Sequence, residues 1–136
     1  MMSFDEKNEE IKQLLIKHLS PYLLILFGSR AENRDRADSD YDIAFLSDQK
    51  FSPYDLYMIA QRLASILNQD VDLLDLSQVS TVMKVQILHK GKVIYCSDDQ
   101  RRMDFAMKAY KMYAKLNEER QIVIDEIRKR GSIYGE

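Results

Sequence analysis

The chain has 136 residues, enough for one buried core and too few for two. Apolar residues make up 46% and charged residues 31%, which excludes an intrinsically disordered chain. The formal net charge of −2 argues against broad electrostatic capture of nucleic acid and leaves only a local basic patch open, and a lone cysteine, Cys96, excludes an internal disulfide or a cysteine-based zinc cluster.

The opening stretch MMSFDEKNEE is polar and acidic, unlike a secretory signal, and no apolar run approaches the roughly 20 residues a membrane span needs. The expectation is a cytoplasmic protein with no membrane partner. Residues 5–19 place Ile11, Leu14, Leu15 and Leu19 at helical spacing, and Ser20-Pro21 ends that helix. Tyr22–Phe27 is a short apolar run stopped by Gly28, which predicts a buried strand. Residues 29–40 are polar throughout and read as a turn and loop, after which Tyr41–Leu46 predicts a second strand.

Ser52-Pro53 reads as an N-cap followed by proline at the first helical position. Tyr57, Ile59, Ala60, Leu63 and Leu67 then supply an apolar stripe for a helix over 53–68. Val71–Leu76 predicts a third strand, residues 78–89 a helix ending near Gly91, and Lys92–Cys96 a fourth strand. Ser97 and Gln100 have capping-box spacing and open a long helix, with a stripe through Met103, Ala106, Met107, Tyr110, Tyr113 and Ala114 that continues toward Ile127. Met and Tyr at that spacing serve either packing on the chain's own sheet or an adaptable interface. The residues from Gly131 read as a frayed tail. Together these elements predict a single α/β (α+β) domain over 1–136, a small mixed sheet of about four strands flanked by helices.

The chemistry concentrates in Phe27 to Phe45, F-G-S-R-A-E-N-R-D-R-A-D-S-D-Y-D-I-A-F. Gly28 lacks a Cβ and lets the backbone approach a ligand, and Ser29 offers a hydroxyl and an N–H at a turn, groups suited to phosphate oxygens. Asp40 and Asp42 sit two apart at the head of a strand, so their carboxylates share a face, where they repel unless a cation lies between them. Magnesium takes such oxygen ligands. Asp72 becomes the third carboxylate if its strand lies beside the Tyr41 strand. Asp75 has the opposite strand parity and Asp70 lies earlier, so Asp72, held between Val71 and Leu73, is preferred. Three carboxylates suit two metals, one on a triphosphate and one on an acceptor hydroxyl, or a general-base role for Asp72. Arg30, Arg34 and Arg36 fall in the connecting loop, where they serve phosphate, a partner, or only the neighbouring Glu32 and Asp35. His18 and His89 are isolated and are not placed in the site.

Gly28-Ser29, ten intervening residues, then Asp40-Tyr41-Asp42 resembles the signature of the polymerase-β-like nucleotidyltransferase superfamily. The flanking F-G-S-R-A and S-D-Y-D-I-A-F look like the minimal nucleotidyltransferases, or MNT proteins. The resemblance implies a nucleotidyltransferase fold. It implies that Gly28, Ser29 and Arg30 bind nucleotide, and that Asp40, Asp42 and Asp72 are the catalytic, metal-holding carboxylates for two Mg2+ ions with ATP as substrate. It further implies an antitoxin of the HEPN–MNT kind, which transfers AMP to a tyrosine of a partner HEPN RNase toxin and silences it. Two other readings stay open: a transferase acting on a small molecule or an RNA end, and a toxin-binding protein that works by contact alone.

Overall fold

The computed structural model describes residues 2–28 and 40–133, with side-chain surroundings given through residue 130. Helix α1 (Phe4–Leu19) is opened by a capping box, in which the Glu6 N–H donates to the Ser3 Oγ at 3.2 Å and the Ser3 N–H donates to the Glu6 carboxylate at 3.4 Å. It ends at Ser20, whose φ of 45° turns the chain into strand β1 (Pro21–Phe27). Strand β2 (Tyr41–Ser47) pairs antiparallel with β1. Helix α2 (Pro53–Leu67) starts on a second capping box, Ser52 with Asp55, with proline in its first turn as the sequence predicts. It ends at Asn68, φ 55°.

Strand β3 (Val71–Asp75) runs parallel to β2, so the chain must cross over between them, and α2 is that crossover. The strand stops one residue short of expectation. The Asp75 carboxylate accepts from the Ser77 N–H at 3.0 Å and from the Ser77 hydroxyl at 2.7 Å, which folds Leu76–Gln78 into a 3-10 turn. Ser80 then caps helix α3 (Thr81–Lys90), so that helix begins later than the pattern over 78–89 predicts. Strand β4 (Lys92–Cys96) matches expectation and pairs antiparallel with β1. Helix α4 (Asp99–Ile133) follows. Its cap is Asp98, which accepts from the Arg101 N–H at 3.1 Å, and not the expected Ser97 and Gln100 pair; the Ser97 N–H instead extends the sheet by donating to the Tyr22 carbonyl at 3.0 Å.

The sheet order is β3-β2-β1-β4, a mixed four-stranded sheet as expected. One face, with Leu24, Leu26, Tyr41, Ile43, Phe45 and Val71, packs on Ile11, Leu15 and Leu19 of α1 and on Ala60, Leu63 and Leu67 of α2. The other, with Leu23, Ile25, Ala44 and Leu46, packs on Leu76 and on Ile87 of α3, with Phe105 of α4 against that cluster. The strands therefore read as near-continuous apolar runs because helices cover both faces.

Two predicted stripes are borne out only in part: Ile59, Ala60, Leu63 and Leu67 of α2 and Tyr113 of α4 face the body, and other members do not. On α2, Tyr57 is 59% exposed, because β3 is an edge strand and the helix overhangs it. On α4, Met103, Met107 and Tyr110 lie exposed, and the face turned to the body carries Phe105, Ala109, Tyr113 and Leu116. At 35 residues, α4 is about 52 Å long. Residues 117–130 are exposed throughout, Ile122 and Ile127 included, since α3 is too short to cover them.

Candidate active site

The site forms at the end of the sheet where β1 finishes and β2 and β3 begin. Phe27 is the cross-strand partner of Asp42 in the antiparallel pair, and Asp42 is the partner of Asp72 in the parallel pair. These three residues lie in one row, and paired residues in register project to the same side of a sheet. Asp42 and Asp72 therefore stand side by side. Buried Tyr41 and Ile43 flank Asp42 and fix its backbone, and buried Val71 precedes Asp72. The Tyr41 N–H donates to the Asp70 carbonyl at 2.9 Å, which ties the start of β2 to the residue before β3.

Gly28 follows Phe27 directly and has a φ of +79°, a conformation that disfavours any residue with a Cβ. A Cβ there would also strike the Asp42 carboxylate oxygen Oδ2 and lie 3.4 Å from its Cγ. The turn backbone thus lies directly against the Asp42 carboxylate, with a glycine because nothing larger fits. Asp40 immediately precedes β2 and is exposed. Ser29 and Arg30, expected at the nucleotide, and Arg34 and Arg36 in the same loop, lie outside the described residues.

The electrostatics match this crowding. The Asp42 carboxyl is raised above its ordinary pKa, first by burial and then by the charges of Asp72 and Asp40. No described basic side chain forms an ion pair with Asp42 or Asp72. Among the described residues no three His, Cys, Asp or Glu side chains are gathered closely enough to hold a metal ion together. The structure thus brings Asp42 and Asp72 together as a pair and leaves Asp40 beside them, near enough to act on Asp42 through its charge. Of the rival acidic residues, Asp75 is engaged in its own turn, and the strand register sets Asp72, not Asp70, opposite Asp42.

Sequence reasoning missed a groove that runs past Asp72. It lies between α2 and β3 and encloses about 830 Å3. The signal available was Tyr57, an aromatic residue assigned to the core stripe of a helix that covers an edge strand.

The polymerase beta nucleotidyltransferase family pattern matches residues 9–100, which spans β1 to β4 and every residue of the site. The chain belongs to the polymerase beta nucleotidyltransferase family. Within that family it is 36% identical over 121 residues to a protein adenylyltransferase, MntA, of Shewanella oneidensis, covering 89% of this chain and 86% of the relative. Among solved structures it is similar to a toxin–antitoxin complex with AMP-PNP, at 36% identity and a TM-score of 0.77, covering 88% of this chain and 97% of that one. It is also similar to an MNT antitoxin bound to a tri-AMPylated Shewanella oneidensis HEPN toxin, at 35% identity and a TM-score of 0.73, covering 89% and 95% of the two chains. The nucleotidyltransferase fold implied by the Gly28 to Asp42 string is therefore the fold of this chain.

Proposed function

We propose that this nucleotidyltransferase moves AMP from ATP to a tyrosine hydroxyl of a HEPN-type partner protein, and so acts as the antitoxin of a toxin–antitoxin pair. The observation that carries the reading is the Asp42–Asp72 pair, set in register on adjacent strands against the Gly28 turn. The acceptor and the nucleotide rest on the relatives, one named a protein adenylyltransferase, one solved with AMP-PNP and one bound to a tri-AMPylated toxin.

The donor set suits a divalent cation. Asp42 is half-buried and repelled by two other carboxylates, and the described residues supply no balancing positive charge. Asp42 and Asp72 would hold magnesium as a pair, with Asp40 beside them as the further carboxylate of a two-ion reading; magnesium, when bound, neutralises triphosphate charge and lowers the pKa of the acceptor hydroxyl. The chain's own groups do the rest. The backbone at Gly28 and Ser29 holds the β- and γ-phosphates, where the missing Cβ allows close approach. Asp72, exposed beside Asp42, orients the tyrosine hydroxyl and takes its proton. The tyrosine oxygen forms a bond to the α-phosphorus, the bond from that phosphorus to the bridging oxygen breaks, and pyrophosphate leaves with the electron pair. Positioning and charge compensation carry most of the rate. The site of action is the cytoplasm, where ATP is abundant and a lone cysteine stays reduced.

The test is to co-express the chain with its HEPN partner and incubate the complex with labelled ATP. The expected result is label and an AMP-sized mass addition on a partner tyrosine, lost in Asp42→Asn and in Asp72→Asn. Unlabelled partner that is still silenced would replace enzymatic transfer with neutralisation by contact.

A further inference from the structure

We infer that the groove between α2 and the free edge of β3 is the acceptor subsite, and that it takes an extended polypeptide segment presenting the tyrosine. The inference rests on the proposed adenylyl transfer and adds the route by which the acceptor reaches the site.

The sheet order supplies the first argument. Gly28 follows β1, Asp42 sits on β2 and Asp72 on β3, so phosphate turn, half-buried carboxylate and exposed carboxylate succeed one another across three adjacent strands. Phosphoryl-group transfer places the attacking and leaving oxygens roughly in line. With pyrophosphate at the Gly28 end, the attacking hydroxyl must enter from the far side of Asp42, past Asp72. The groove opens along that edge, and Asp72 lines it from the sheet face opposite α2, the face that carries Asp42. A strand laid on the edge presents alternate side chains to the two faces, one of them toward Asp42 and Asp72.

Its shape and chemistry supply the second. The groove runs along the whole of β3, from Val71 to Asp75, a span of about 16 Å. A small hydroxylated compound needs only the mouth beside Asp72; five residues of extended chain fill the length. Among the described residues no strand pairs with the outer edge of β3, so its outward N–H and C=O groups are available for main-chain bonds to an added strand. Leu56 and the exposed Tyr57 supply an apolar wall, and Phe51, held edge-to-face by Phe45 with ring centroids 5.9 Å apart, continues it. Gln61 and Gln78 add uncharged hydrogen-bonding groups.

The experiment compares wild type with Tyr57→Ala and Gln61→Trp, two changes at exposed α2 positions, the second of which blocks the groove. Thermal melts confirm that both variants fold. Transfer of labelled AMP to the HEPN partner is then measured against partner concentration and, separately, against ATP concentration. The expected result is an acceptor KM raised about tenfold or more in both variants with the ATP KM unchanged, the signature of lost acceptor binding. An acceptor KM unchanged in both variants overturns the inference, and so does a raised ATP KM, which would seat the nucleotide in the groove. Absence of transfer by the wild-type chain is a separate outcome, read before any variant, and overturns the proposed function itself.

Discussion

The ionised form of Asp42 is disfavoured in the folded chain. Its carboxyl titrates above its ordinary value because it is half-buried beside Asp72 and Asp40. Between the ordinary aspartate pKa and the raised one, the folded chain binds more protons than the unfolded chain, so stability falls as pH rises through that window. Asp42→Asn removes this loss. With divalent cations chelated, the variant is expected to melt at a higher temperature than wild type at neutral pH, and the gap should close as pH falls toward about 4, the unperturbed aspartate range. Melting curves across pH check this, and the same variant should transfer no AMP. Gly28 carries the second prediction at this scale. Gly28→Ala forces a Cβ into the Asp42 carboxylate at a positive φ. Because a displacement of about 1 Å at a reacting centre can cost a hundredfold in rate, transfer should fall by about that factor or more, measured as kcat on the partner.

Among the elements, α4 packs on the body through Phe105 and Ala109 and is also tied down near its start by Arg101. Arg101 donates through two guanidinium nitrogens to Asp48, at 3.0 Å and 2.5 Å, and its guanidinium carbon lies 3.9 Å from the centre of the Tyr22 ring. The pair lowers the Asp48 carboxyl below its ordinary pKa, chiefly through the hydrogen bond. An exposed ion pair contributes little by itself and is screened by salt, whereas stacking on an aromatic face is not lost in the same way. Arg101→Ala is therefore expected to lower the melting temperature by a few degrees, with part of the deficit persisting in about 0.5 M salt. Arg101→Lys should recover little, because an ammonium provides neither the planar fork nor the stacking plane. A thermal-shift series over the three proteins and two salt concentrations measures it.

The same element shows where sequence reading stops. Among the described residues every strand and α-helix was legible from apolar runs and caps, since Ser52-Pro53, Ser20-Pro21 and Gly28 act locally; the 3-10 turn at Leu76–Gln78, the start of α3 and the cap of α4 were not. The buried face of α4 was not. Met103, Met107 and Tyr110 fit helical spacing as well as Phe105, Ala109 and Tyr113, and only the position of α3 decides between them. Tyr57 was misassigned for a similar reason, because its exposure follows from β3 being the sheet's edge. For the site, the spacing from Gly28 to Asp42 is a one-dimensional signal and could be read directly. The pairing of Asp72 with Asp42 follows from a parallel register that no local pattern encodes.

Over the whole molecule, the two faces of the sheet are filled by different parts of the chain. The face with Leu24, Leu26, Ile43 and Phe45 is covered by α1 and α2, both drawn from the first 67 residues. Truncating Leu15, fully buried there, should cost about 2–5 kcal/mol as Leu15→Ala, measured by denaturant unfolding. The opposite face depends on Leu76 and α3, and β1 gains its second neighbour only when β4 is present.

That division has a consequence during synthesis. Gly28, Asp40, Asp42 and Asp72 are all clear of the ribosome once the end of β3 has emerged, together with the three strands that align them. At that moment Leu23, Ile25, Ala44 and Leu46 are still bare to water, because the residues that shield them are encoded downstream. A nascent chain stalled with Asp75 just clear of the ribosome would hold its carboxylate row yet display a sticky apolar slab, the kind of surface that chaperones engage.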